Sequence, residues 1–208
     1  SSRSPRCSAG EDRAALNEHW RDIVLAGHRG NVAAARAGLT DDDPVVRELA
    51  LGALHRCNAL DDQDLARAVA DAAAAVRRRA ASIGATRSHF DLSTLLDDPD
   101  PTVVEQTAWS YGEREQVPDH VLLRLVQLAT QSQAPLVREA SVAALGAIGD
   151  ERGLPAILQG CADQPAIRRR AVLALAPFDT DEAEAAIDHA LTDRDWQVRQ
   201  AAEDLRRG

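Results

Sequence analysis

The side chains of this 208-residue chain that could do chemistry are thinly spread. There are six histidines, at 19, 28, 55, 89, 120 and 189, at no spacing that would place two on one metal ion. The three cysteines, Cys7, Cys57 and Cys161, are far apart and form no CxxC pair, which excludes zinc ribbons and dithiol redox motifs. No glycine-rich phosphate loop, HExxH or GxSxG occurs. Acidic pairs such as Asp97-Asp98 fall in turns, where helix capping accounts for them. The runs Arg77-Arg78-Arg79 and Arg168-Arg169-Arg170 could contact phosphate, but each begins just inside a helical segment, and solvated helix faces explain most of both. No catalysis, metal or cofactor is therefore expected.

Composition narrows the ligand class. The net charge is −9, with no lysine, so all 24 basic residues are arginine. Nucleic-acid binders need a basic face, because phosphate neutralisation supplies most of their affinity, and this balance argues against one. No apolar run approaches the roughly 18 residues of a membrane span. The opening SSRSPRCSAG is polar and lacks the apolar core of a signal peptide. Unpaired cysteines at helix-interior spacings point to a reducing, cytoplasmic setting. Hydrophobic residues make up 45% of the chain and aromatics only 3%, so the core must be Ala, Leu, Val and Ile, closely packed.

The elements that position these residues come from one repeated phrase. Pro44-Val45-Val46-Arg47 returns as Val76-Arg77, Pro101-Thr102-Val103-Val104, Pro135-Leu136-Val137-Arg138, Pro165-Ala166-Ile167-Arg168 and Trp196-Gln197-Val198-Arg199. The anchors 46, 76, 103, 137, 167 and 198 are spaced by 30, 27, 34, 30 and 31 residues, which marks a repeat array. Each copy has a polar residue that can cap a helix, then in most copies a Pro with its φ preset, then a branched anchor. Small or apolar residues follow at +4 and +8, on one helical face. The spacing predicts first helices over 44–57, 101–112, 135–148, 165–176 and 195–206. Return helices are predicted over 62–72, 118–131, 154–162 and 181–191, with a brief one near 91–96. Upstream, 11–27 reads as a helix with Leu16, Trp20, Ile23 and Val24 inward, and 31–39 as its partner. The expected organisation is a flexible segment 1–10 and a single repeat domain 11–208. The fold class is all-α: a right-handed α-solenoid of about six helix pairs plus a terminal helix.

The D-P-x-V-R openings, the Leu145-Gly146 ending and the phrase GDERGLPAIL at 149–158 resemble HEAT repeats, specifically the bacterial HEAT-like repeats named after phycobilisome lyases. That resemblance implies first helices on a convex side, return helices on a concave side, and a structural ladder made by Arg47, Arg138, Arg168 and Arg199. It also brings two enzyme readings: a phycobilin-lyase-like subunit, which nothing beyond the repeats supports, and a HEAT-like DNA glycosylase, which the acidic balance opposes. The reading preferred here is a scaffold or adaptor that binds a partner protein. Its expected concave contacts are Asp64 and Arg67, with Asp71 on the same face, then His120, Arg124 and Gln127, then Glu184 and Asp188, with Asp181 beside them. A mixed-charge stripe of this kind suits a protein ligand. Trp109 lies about 160° from the buried stripe of its helix and is a second candidate contact on the convex side. Trp196 replaces the Pro of the last copy and is expected to cover the preceding repeat.

Overall fold

The computed structural model describes residues 6–207, with side chains from Glu18 onward. Residues 1–5 of the expected flexible segment, and the side chain of Leu16, lie outside the described residues. Twelve α-helices follow: α1 (Arg6–Arg29), α2 (Val32–Ala37), α3 (Pro44–Arg56), α4 (Asp62–Val69), α5 (Ala74–Gly84), α6 (Pro101–Gly112), α7 (Asp119–Gln131), α8 (Pro135–Ile148), α9 (Leu154–Gly160), α10 (Pro165–Ala174), α11 (Asp181–Ala190) and α12 (Trp196–Arg207). Short 3₁₀ turns occupy Gly38–Thr40, Ser93–Asp97 and Glu151–Gly153, and the described residues contain no strand. The first helix starts at Arg6, ahead of the boundary at residue 11 that the sequence suggested.

The expected helices form, but not every copy is capped as expected: α8 and α10 begin after Ala134 and Gln164 with no side-chain cap. Asp43 and Asp100 stand in extended backbone and accept from the Val45 and Thr102 N–H groups, and the following Pro opens each helix. Asp61 and Asp64 make a reciprocal capping box at the start of α4. Gly149 ends α8 at φ 68°, a left-handed turn that a side chain would strain. The anchor stripe is the core: Val46, Ala50 and Leu54; Val103, Thr107 and Tyr111; Val137, Ser141 and Leu145; Ile167, Ala171 and Leu175; Val198 and Ala202 are all buried.

The sequence reads as one uninterrupted domain from 11 to 208; the structure divides into two compact units, residues 1–83 and 84–208. The boundary falls in the copy with the shortened spacing, whose return helix is reduced to the 3₁₀ turn Ser93–Asp97. In the first unit α1 and α2 both pack on α3, and Trp20 lies against Ile23, Val46 and Ala50 while its indole N–H donates to Asp43 at 2.8 Å. In the second unit α6, α8, α10 and α12 pack in succession, and α7, α9 and α11 form a second row beside them. First helices and return helices are thus segregated, the α-solenoid arrangement.

The arginine ladder is a set of bidentate ion pairs. Arg47 donates through Nε and Nη2 to the two oxygens of Asp71, both at 2.8 Å, and through Nη1 to the Asp41 carbonyl. Arg138 repeats this with Asp163 at 2.7 and 2.9 Å and with the Ser132 carbonyl. Arg168 repeats it with Asp193, at 2.8 Å twice, and with the Asp163 carbonyl. Arg199 and Arg77 hold the Asp193 and Asp71 carbonyls in the same way. These hydrogen bonds hold the Asp71, Asp163 and Asp193 carboxyls below the usual carboxylate range. Each rung ties a first helix to the turn that begins the next copy.

Candidate partner-binding surface

The return helices carry the surface with ligand potential. On α7, Val121, Leu122, Leu125, Leu128 and Ala129 are buried, which turns His120, Leu123, Arg124 and Gln127 to one exposed side at helical spacing. Leu123 is 54% exposed amid these polar groups. Arg124 reaches Asp97 at 2.7 Å and the Gln127 side chain at 3.2 Å, so its guanidinium is held rather than free to swing. Neighbouring turns carry a second pair, Arg152 with Asp119 at 3.0 Å. On α11, Glu184 and Asp188 both accept from Arg206 of α12, the latter at 2.6 Å, and Asp181 is exposed at the start of the helix. Glu184 and Asp188 therefore present a partly neutralised acidic face.

Two expected contacts in the first unit take different roles. Arg67 is exposed, with its side chain 63% accessible. Asp64 must be withdrawn from any contact surface: it is 3% exposed, accepts from Arg36 at 2.6 Å, and closes the capping box of α4. Helical spacing gave its angle correctly but could not show that Arg36 of α2 lies over it. Asp71, on the same predicted face, is consumed by the Arg47 rung.

Trp109 is 39% exposed, and its ring lies beneath the Arg170 guanidinium, 5.5 Å from centroid to Cζ. A groove of about 110 Å³ lined by Glu105, Trp109, Leu136, Glu139, Ala140 and Arg170 surrounds it. The ring is part packed and part accessible, where the sequence placed it in solvent. Trp196 is 64% exposed and covers little, contrary to its expected role as a cap; a cleft beside it is lined by Arg169, Leu173 and Gln200. The arginine runs are dispersed by the helix: Arg77 and Arg168 are ladder residues, Arg79 lies over Gly52, and Arg170 lies on Trp109.

A polar cluster that the sequence did not mark, with Tyr111 and Arg114 buried and Asp91 exposed, stands behind the irregular third copy. The Tyr111 hydroxyl accepts from the Leu92 N–H at 3.0 Å and donates to Asp91 at 3.1 Å. Arg114 stacks on the Tyr111 ring at 4.6 Å and donates to the Gly84 and Phe90 carbonyls. Burial, with the Asp91 charge adding to it, pushes Tyr111 up to about 12. Burial alone would raise Asp91, but hydrogen bonds from the Ser93 N–H and hydroxyl and from Tyr111 outweigh it and hold Asp91 below the usual range. The cluster pins the 84–92 segment to α6. Burial likewise pushes the Cys161 thiol up to about 11, which makes it inert at neutral pH. Among the described residues no three His, Cys, Asp or Glu side chains converge as a metal site would require, and no helix is long and apolar enough to cross a membrane.

Known proteins agree with this architecture. Residues 91–176 match the HEAT repeat family model. No curated protein sequence matches the chain. Among solved structures, the Escherichia coli protein YibA superposes with a TM-score of 0.67 at 16% identity, over 88% of this chain and 70% of that one. Human deoxyhypusine hydroxylase in complex with glycerol gives a TM-score of 0.48 at 16% identity, over 91% of this chain and 78% of that one. A designed armadillo repeat protein in complex with the peptide (KR)4 gives 0.46 at 16% identity, over 98% and 94%. The likeness to YibA is one of fold.

Proposed function

We propose that this protein is a non-catalytic repeat scaffold that holds a partner protein on the return-helix face of residues 84–208. The observation that carries the reading is Leu123, a large apolar side chain 54% exposed in the middle of the polar face of α7. A leucine about half exposed beside oriented charged groups has the makeup of a small interface centre with a polar rim. Arg124, held by Asp97 and Gln127, and the acidic pair Glu184 and Asp188 on α11 would supply charge complementarity, and His120 lies next to Leu123. Such contacts set specificity and association rate, so binding should weaken as salt rises. The net charge of −9 speaks against nucleic acid as the ligand.

The test is Leu123→Arg in the tagged full chain, with partner recovery from the source cell read beside thermal melts. The reading expects recovery to be lost with the melting temperature unchanged, because the side chain is exposed. Undiminished recovery would remove α7 from the interface and leave the Trp109 groove as the surface to test.

A further inference from the structure

The ladder has one missing rung, and both of its members are missing together. The third copy has Val104 where the others have Arg47, Arg77, Arg138, Arg168 and Arg199. The ladder partners Asp71, Asp163 and Asp193 stand four or five residues before the anchor of the following copy, and the residue in that place before Val137 is Ser132. Register is confirmed by the backbone: Arg138 donates to the Ser132 carbonyl just as Arg77 does to that of Asp71 and Arg168 to that of Asp163. Ser132 also keeps the turn function of the lost aspartate, accepting from the Ala134 N–H at 3.3 Å as Asp71 accepts from that of Ala73.

The loss leaves space. At the intact rung of the first unit, the gap lined by Leu39, Arg47, Asp71 and Val76 measures about 50 Å³. At the equivalent place in the second unit, a recess of about 350 Å³ is lined by Leu96, Asp97, Val104, Arg124, Ser132 and Val137. Where Arg47 and Asp71 line the first, Val104 and Ser132 stand in the second. Replacing a buried ion pair by apolar groups of matching volume is often neutral or stabilising. Here the replacements are far smaller, so an open surface recess stands where the pair would lie. The floor is apolar (Val104, Leu128, Val137), and Asp97, 66% exposed, stands at its rim together with the Arg124 it pairs with.

We propose that this recess receives the side chain of an arginine from the partner protein, which completes the rung from outside. The stem of an arginine suits the apolar wall. Its guanidinium would meet the Asp97 carboxylate, the Ser132 hydroxyl and the turn at 97–99, in the register where every other copy seats its own guanidinium. An acidic chain overall, with the Asp97 carboxylate 66% exposed at the rim, favours a cation over an anion. The planar fork discriminates: a lysine has no matching geometry and citrulline no charge. This inference rests on the scaffold reading above and names the chemistry of the contact around Arg124.

The probe is the peptide acetyl-Gly-Arg-Gly-amide, titrated into the full isotope-labelled chain and followed by amide NMR shifts, with lysine and citrulline versions as controls. The expected result is shifts confined to residues around Val104, Leu128 and Ser132, strongest for arginine. Asp97→Asn should weaken binding by about tenfold, the usual weight of a charge-assisted hydrogen bond. Val104→Arg with Ser132→Asp should refill the recess from within, abolish the peptide response and leave the melting temperature equal or higher. If that double variant unfolds, Asp97→Asn and the citrulline control still decide. Equal response to citrulline, shifts outside the recess, or undiminished binding by Asp97→Asn would overturn the assignment. Partner recovery dependent on Leu123 alongside no arginine response removes the socket and spares the scaffold; loss of both removes both.

Discussion

Gly146→Ala is the sharpest test of the packing between repeats. In an isolated helix the change gains about 1 kcal/mol, because alanine is the better helix former. In this protein a Cβ at 146 would lie 2.5 Å from the Ala174 Cβ, 2.6 Å from its Cα and 2.9 Å from its carbonyl oxygen. Carbon atoms need roughly 3.5–4.0 Å. The blocking atoms belong mostly to the α10 backbone and cannot rotate aside, so α8 and α10 must part by about 1 Å, a displacement felt by the Leu145 packing and by the Arg138 and Arg168 rungs. Overpacking against backbone belongs at the upper end of its usual range, about 3 kcal/mol. The net expectation is a loss of about 2 kcal/mol, or roughly 5–10 °C in melting temperature for a unit of this size. Two controls share the helix-propensity gain without the clash. At Gly112 the nearest atom, the Ala144 Cα, is 3.2 Å away, and at Gly52 the obstruction is the mobile end of Arg79. Urea melts followed by circular dichroism should rank Gly146→Ala well below both. A Gly146→Ala protein as stable as the wild type would refute the stacking distance and the helix pairing that produces it.

Leu145 is fully buried, so Leu145→Ala should cost about 2–5 kcal/mol in denaturant melts, and a loss below about 1 kcal/mol would mean that the stripe is misplaced. Trp109→Ala should lose about 1 kcal/mol, the Arg170 stacking term, where full exposure would have predicted none. The ladder makes stability fall in acid. The folded carboxyls of Asp71, Asp163 and Asp193 titrate below their unfolded range, so their contribution is complete above the ordinary aspartate pKa and is lost as pH drops through the lowered one. Asp163→Asn should cost about 1–3 kcal/mol at neutral pH and flatten the acid limb of a pH–stability profile; an unaltered limb would show that the rung is idle.

Much of the fold was legible because it is local and repeated. Asp–Pro openings, anchors and +4/+8 positions sit within one helix, and all six copies bury their anchors as the period requires. The partners of the arginines were not legible in advance, because each lies 24 or 25 residues downstream, across a return helix. The division at residues 83 and 84 was hidden for a related reason: the 27-residue spacing shows a copy cut short, but not that its return segment shrinks to a 3₁₀ turn. On the candidate surface, the polar face of α7 was readable from periodicity, while that reading did not single out Leu123. Asp64 failed in the opposite sense, a charged residue assigned to the surface and then buried by Arg36. Periodicity gives the angle of a side chain about its own helix, and only the neighbouring repeat decides whether that angle is covered.

The central claim, that the return-helix face of 84–208 holds a protein partner, is tested most directly by site-specific photocrosslinking. A benzophenone side chain is placed in turn at Leu123, Gln127, Glu184, Trp109 and, as a control on the first-helix row, Glu203, and the full chain is irradiated in extract from the source cell. The account predicts one shared crosslinked protein at Leu123, Gln127 and Glu184, diminished by salt and absent at Glu203. Crosslinking to one protein at Trp109 alone, or equally at every position including Glu203, would contradict it.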